Sequence, residues 1–230
     1  MRLTVFGANG PSGRLVVQQA LALGHTVRAV TRQPEAFPAL GPELEVTGAD
    51  VFDADAVDRA VAGSDAVISS LGVPYSRQPI EVYSTGTGHV VAAMQRRGIR
   101  RLLCVSSTTT FPANDPQAGW INRVGVSLVS KTIGRTTYQD MRRMETLVRG
   151  SGLDWTIVRP SGLFTGKTVT AYQTAENALS GRFTARADLA ACLLSEVQDS
   201  RWVGKVMVVI TTQNTPSFTE WFRGEILKQP

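Results

Sequence analysis

Apolar residues along this chain gather in short blocks with two different periods. Compact or alternating apolar runs fit strands, and stretches with apolar residues three and four apart fit helices. Strands are predicted at 3–6, 25–30, 43–47, 66–69, 101–105, 155–158 and 205–211. Helices are predicted at 11–23, 53–62, 79–98, 136–150, 184–197 and 218–227, with Asp53 as a cap for the second and glycines closing several of them. Regular alternation of the two implies an α/β fold, a doubly wound parallel sheet with helices on both faces. Residues 111–131 break the pattern with Pro112, Pro116, Gly119 and Trp120, followed by an apolar segment at 124–129 that is expected to be a helix over the substrate side. With no repeat and no linker, residues 1–230 read as one domain with a small C-terminal region on the substrate side.

Composition narrows the class. Of 230 residues, 43% are hydrophobic, enough for a sizeable core, and the 19% charged content argues against disorder. No apolar run approaches the ~18 residues that span a bilayer. The first apolar run is too short for a cleaved leader, so a cytoplasmic protein without membrane contact is expected. Cys104 and Cys192 sit in apolar stretches as small core residues, and with His25 and His89 they form no zinc-like cluster, so no metal is expected. The net charge of +5 comes from scattered Lys and Arg, which fits a phosphorylated small ligand better than nucleic acid.

The chemistry begins at the first turn, where Gly7, Asn9, Gly10, Pro11, Ser12 and Gly13 lie between a strand and a helix. A sharp exit from the strand, close approach of backbone to a bulky anion, and tight packing of the helix each exclude a side chain. Pro11 suits the first helical position, and the free N–H groups behind it would face a pyrophosphate. This is the Rossmann type of dinucleotide turn. NAD would want a carboxylate after the second strand; Thr31 and Arg32 stand there instead, and no acid comes before Glu35. NADP(H) is therefore expected over NAD(H), with Arg32 on the 2′-phosphate. Arg28, inside the strand, has the competing reading of a solvated surface arginine. Ser69, Ser70, Leu71 and Gly72 close the fourth strand, where open α/β sheets bind ligands. Five hydroxyl residues, Ser106 to Thr110, close the fifth.

In combination, Gly7-x-x-Gly10-x-x-Gly13, Val30-Thr31-Arg32, Gly48-Ala49-Asp50-Val51, Ser106-Ser107 and the run from Ser151-Gly152 to Arg159-Pro160 resemble the atypical short-chain dehydrogenase/reductases. The branch they resemble is the NAD(P)H-binding group of flavin reductase/biliverdin-IXβ reductase-like and NmrA-like proteins. Thr184-Ala185-Arg186-Ala187-Asp188-Leu189-Ala190 is similar to that group's C-terminal signature. The resemblance implies Asp50, Val51, Ser106 and Pro160 as further cofactor-binding residues.

Ordinary members of the wider family use a Tyr acid with a Lys four residues on. Tyr138 with Arg142 has the spacing, but aligning the helix through Glu145 places Thr137 and Met141 at those positions. One residue turns a helical side chain by about 100°. Tyr138 is then expected as a surface or lid residue, with a catalytic role as the competing reading, and Ser107 becomes the polar group near the nicotinamide. The resemblance implies an NADPH-dependent oxidoreductase acting on a flavin, quinone or similar conjugated or carbonyl acceptor. Two alternatives stay open: a non-catalytic NADP-binding sensor of the NmrA-like kind, and a sugar-nucleotide epimerase-like enzyme. The expected partner is a small-molecule electron acceptor, and both monomer and homodimer are compatible.

Overall fold

Val5 and Phe6 are fully buried because the first strand lies in the interior of the sheet. The computed structural model describes residues 1–76, 78–111, 134–166, 168–221 and 223–224. The main sheet contains β1 (Arg2–Phe6), β2 (Thr26–Thr31), β3 (Leu44–Gly48), β4 (Ala66–Ser69), β5 (Arg101–Val105), β6 (Asp154–Pro160), β8 (Tyr172–Glu176) and β10 (Lys205–Thr211). Their order is β3-β2-β1-β4-β5-β6-β10-β8. The chain reverses its winding between β1 and β4, where Phe6 stands opposite Ser69. In such sheets the crevice at the strands' carboxyl ends, at this switch point, receives the ligand.

Helices α1 (Pro11–Ala22) and α5 (Arg186–Ser195) cover one face; α2 (Ala54–Val61), α3 (Ser84–Arg96) and α4 (Arg135–Arg149) cover the other. The first core joins Val16, Val17 and Ala20 to Leu189 and Leu193 over one face of the sheet. The second packs Val57, Val61, Val90, Met94, Met144 and Val148 on the opposite face. Asp53 caps α2 as expected, accepting the N–H groups of Asp55 and Ala56. The cap of α3 comes from another helix: buried Asp140 of α4 accepts the backbone N–H of Tyr83 at 2.9 Å and of Ser84 at 3.3 Å.

The tail departs from the expected pattern. Residues 184–197 do not form one helix: Thr184 lies in a short strand, β9 (Phe183–Ala185), and its hydroxyl donates to the Val209 carbonyl at 2.6 Å. That strand pairs with β7 (Gly162–Phe164) in a two-stranded sheet closed by Phe164, Phe183 and Trp221. β8 runs antiparallel to β10, so the main sheet is mixed at one edge. The long helix begins at Ser84, not at 79, because residues 79–83 are held by contacts from α4 before the helix starts. Among the described residues the last helix is α6 (Phe218–Trp221); residues 222 and 225–227 of the expected 218–227 helix, and the helix expected at 124–129, lie outside them. Among the described residues no helix is long and apolar enough to cross a membrane.

Candidate dinucleotide and acceptor site

Gly7 leaves β1 at φ +71°, and a β-carbon there would stand 2.5 Å from the Ser70 carbonyl oxygen. The turn therefore lies directly against the loop after β4. Ser70 is pinned in the same place, its N–H and hydroxyl both reaching the Phe6 carbonyl at 3.0 Å. At Gly13 a β-carbon would collide with the Gly7 carbonyl oxygen, so the third glycine packs the helix onto the turn itself. Gly10 has an ordinary extended backbone and caps α1 without a side chain, Pro11 following at the first helical position. Its β-carbon would meet only the Gly7 carbonyl oxygen, at 3.3 Å. Gly10 thus leaves the helix end without a side-chain cap, and the N–H groups and dipole there favour an anion.

The neighbouring candidates line the same edge. Thr31 is buried at the end of β2, its hydroxyl accepting the Gln33 N–H at 3.2 Å, and Arg32 beside it is exposed. Arg28 has a structural occupation: it donates to the Ala60 and Ala62 carbonyls at the end of α2 and pairs with Glu45 at 3.0 Å. Asp50 turns inward on its own loop and accepts the Phe52 N–H at 3.0 Å. Val51 is held by its carbonyl, which accepts from His89 Nδ1 at 2.8 Å. Val51 and Leu71 both press on Gly86 of α3, so the loops after β3 and β4 rest on one helix. Ser69 is buried in β4, and Gly72 has open space beside it.

Arg14 is the residue the sequence reading passed over. Its guanidinium donates twice to Asn9 Oδ1, at 3.0 and 2.6 Å, and lies 5.9 Å from the Phe37 ring centroid. The available signal was its place in the first helical turn, where long side chains lean back toward the N-terminus. Asn9 thus braces a second cation at the turn.

Beyond β4 the edge is built from side chains. Ser107 accepts the Thr109 N–H at 3.2 Å, and among the described residues its own O–H has no acceptor. Ser106 faces inward: it is buried, and its hydroxyl donates to Glu145 Oε1 at 2.7 Å. Pro160 is buried at the end of β6. Buried Glu145 also takes both Nε and Nη2 of Arg159, at 2.9 and 2.5 Å. On α4, Met141 faces this cluster and accepts the Thr110 hydroxyl at 3.5 Å. Thr137 is one turn earlier on the same side, its buried hydroxyl without a partner among the described residues. Tyr138 is not a surface residue. It is 6% exposed, and its hydroxyl meets that of Tyr75 at 2.8 Å. Burial pushes its pKa well above the ordinary tyrosine value, so it stays protonated.

Among the described residues no group of His, Cys, Asp and Glu could hold a metal ion. A cleft of about 520 Å³ opens at the opposite, amino edge of the sheet, between Ser64, Arg97, Arg100, Arg101 and Asp154. Its exposed arginines are already paired, Arg97 with Asp58 at 2.5 Å and Arg100 with Asp154 at 2.9 Å. The glycine turn, whose helix end has no side-chain cap among the described residues, is the better place for a ligand.

Comparison with known proteins agrees with this geometry. The model of the NAD(P)H-binding family matches residues 7–200. An uncharacterised chloroplastic protein of Arabidopsis thaliana is 30% identical over 175 residues, 70% of this chain and 59% of that protein. A uronate dehydrogenase of Pseudomonas syringae is 33% identical over 109 residues, 46% of this chain and 39% of its own. The chain thus spans less than two thirds of the curated relatives it matches. Among solved structures, an anaerobilin reductase from Escherichia coli O157:H7 superposes with a TM-score of 0.73 at 24% identity, covering 94% of this chain and all of that one. A short-chain dehydrogenase/reductase from Veillonella parvula in complex with NADP gives 0.75 at 16% identity, covering 94% of this chain and 99% of that one. These two share the fold. The chain belongs to the NAD(P)H-binding family.

Proposed function

We propose that this protein is an NADPH-dependent oxidoreductase that reduces a conjugated acceptor such as a flavin or quinone without a tyrosine acid. The observation that carries this reading is the face α4 turns to the end of β5. Thr137 and Met141 occupy it, and Met141 touches Thr110. Among the described residues neither a tyrosine nor a lysine stands on that face, and Glu145, one turn on, is taken up by Ser106 and Arg159. Tyr138, one residue round the helix, has its hydroxyl on Tyr75.

The turn at Gly7 to Gly13 would hold the pyrophosphate, and Arg32 with Arg14 would meet the 2′-phosphate that distinguishes NADPH. The bound dinucleotide supplies hydride. The protein's part is to hold the acceptor face to face with it, to donate a hydrogen bond from Ser107 to the acceptor's carbonyl or ring nitrogen, and to leave protonation to solvent. Acceptors whose reduced form is a stabilised anion tolerate this; simple ketones do not. The epimerase-like reading fits poorly, since the acid–base pair it relies on has no counterpart on α4.

The test is NADPH oxidation by the purified protein across flavins, quinones and simple carbonyl compounds, with Ser107→Ala alongside. Turnover confined to conjugated acceptors, and lowered more in kcat than in cofactor affinity by Ser107→Ala, is the expected result. Tight NADPH binding with no oxidation across the panel would remove the proposal in favour of a sensor. Partner pull-downs with NADP+ and NADPH would then examine that reading.

A further inference from the structure

Two guanidinium groups lie against one aromatic ring at the mouth of the acceptor side, and their charges are treated differently. Phe111 follows the turn that begins at Ser107, and it is 45% exposed. Arg159 lies 4.7 Å from its ring centroid and Arg142 lies 5.7 Å from it. Arg159 is buried and neutralised by its two bonds to Glu145. Arg142 is half-buried, and its Nε donates to the Thr110 carbonyl at 2.7 Å. Among the described residues no carboxylate stands within 4.0 Å of it. Its neighbours on α4 are paired, Arg143 with Asp140 at 3.0 Å and Arg149 with Glu145 at 3.6 Å.

An arginine held by a carbonyl and a ring has its plane fixed, and among the described residues the Nη edge of Arg142 has no hydrogen-bond partner. That edge is suited to a carboxylate or phosphate, which it can bind through two parallel hydrogen bonds. The ordering cost is already met by Thr110 and Phe111, so an incoming anion gains more from Arg142 than from a freely rotating surface arginine. Position excludes the cofactor as the source of that anion. Arg142 is anchored beyond β5, three strand spacings from β2, or about 14 Å from the residues expected at the 2′-phosphate. The pyrophosphate turn on β1 is two spacings away.

From this we infer that the acceptor carries an anionic substituent, and that Arg142 receives it while Phe111 borders its conjugated part. The inference rests on the acceptor reading given under Proposed function, and it narrows the class to planar acceptors bearing a phosphate or a carboxylate. Arg142 acts in specificity and does not touch the transferred hydride.

Riboflavin and FMN share one isoalloxazine ring and differ in a phosphate, and a naphthoquinone with and without a carboxylate side chain forms a second pair. Binding of each is followed by fluorescence quenching with the protein saturated in NADP+, and turnover by NADPH oxidation. The wild type should prefer the anionic member of at least one pair by tenfold or more, in Kd and in KM. Arg142→Gln should bring that ratio toward one, Arg142→Lys should fall between, and raising salt should erode the preference. Arg135→Gln, which removes an exposed charge from the first turn of the same helix, should keep the ratio. Equal affinity within both pairs, an unchanged ratio in Arg142→Gln, or failure of all four compounds to bind would overturn the inference. Anion-selective binding without NADPH oxidation would instead sink the hydride-transfer reading and leave the anion site standing.

Discussion

One sheet edge carries two rims made of different materials. From β3 to β4 the rim is backbone: the Gly7 to Gly13 turn, the Ser70 N–H on Phe6, and loops resting on Gly86. From β5 to β6 it is a set of buried side chains, with Glu145 joining Ser106 to Arg159 and Asp140 holding the start of α3. A backbone rim fits one ligand shape shared by every dinucleotide. A side-chain rim can change its acceptor by substitution, but each charge in it must stay matched.

The largest effect should come from breaking that match. Glu145→Ala would leave the 5% exposed Arg159 without its carboxylate and Ser106 without an acceptor. Removing one member of a buried ion pair costs about 3–5 kcal/mol. Urea unfolding should show that loss, and replacing Arg159 with Met in the same chain should recover a large part of it. A single-variant loss below about 1 kcal/mol would mean that water reaches the pair.

The backbone rim should respond in two distinct ways. Gly13→Ala forces a β-carbon into the Gly7 carbonyl, and such overpacking costs about 1–3 kcal/mol of stability. Gly10→Val meets far less protein, so its melting temperature should stay close to the wild type while dinucleotide binding is lost. Calorimetric titration with NADPH separates the two cases. Unchanged affinity in Gly10→Val would make the turn purely structural.

These contrasts explain what could be read from the chain. Strands at 66–69, 101–105 and 205–211 have the bounds their apolar runs predict, since those runs are buried on both faces. β8 gave no such signal because Tyr172–Glu176 is a half-exposed edge with little apolar content, and β7 and β9 are three residues each. In α4 the spacing of Met141, Met144 and Val148 shows a helix with an apolar side but says nothing of Asp140 and Glu145. Both are fully buried, because their partners arrive from 57 and 14 residues away. The one-residue offset between Thr137 and Tyr138 was legible as helix geometry. The burial of Tyr138 was not, because it depends on Tyr75 in a loop without period.

Cofactor choice tests the backbone rim's only expected charged readers. Arg32→Ala should cost about 1.5–3 kcal/mol of NADPH affinity, the range for a hydrogen bond to a charged group, and leave NADH nearly untouched. Arg14→Ala should act in the same direction but less selectively, because its Asn9 contact also braces the turn. Equal losses for both nucleotides in Arg32→Ala would place the 2′-phosphate elsewhere.

The smallest effect concerns the side-chain rim and alkali. Burial pushes the Tyr83 hydroxyl up to about 12 from an ordinary 10.0. Below pH 10 folded and unfolded chains both keep this proton, and the group adds no pH dependence. Between 10 and 12 the unfolded chain gives it up first, so stability falls as pH rises, with a slope of at most about 1.4 kcal/mol per pH unit. Tyr138 titrates in the same sense, so the wild-type curve holds both contributions. Tyr83→Phe should therefore flatten, without abolishing, the fall in urea midpoint between pH 10 and 11, at the cost of one 3.4 Å contact from the Val73 N–H. An identical fall in both proteins would mean that the Tyr83 hydroxyl ionises as easily in the folded chain as in the unfolded one. The loop after β4 would then be open to water, and its clasp by α4 looser than the contacts at Asp140 and Tyr138 imply.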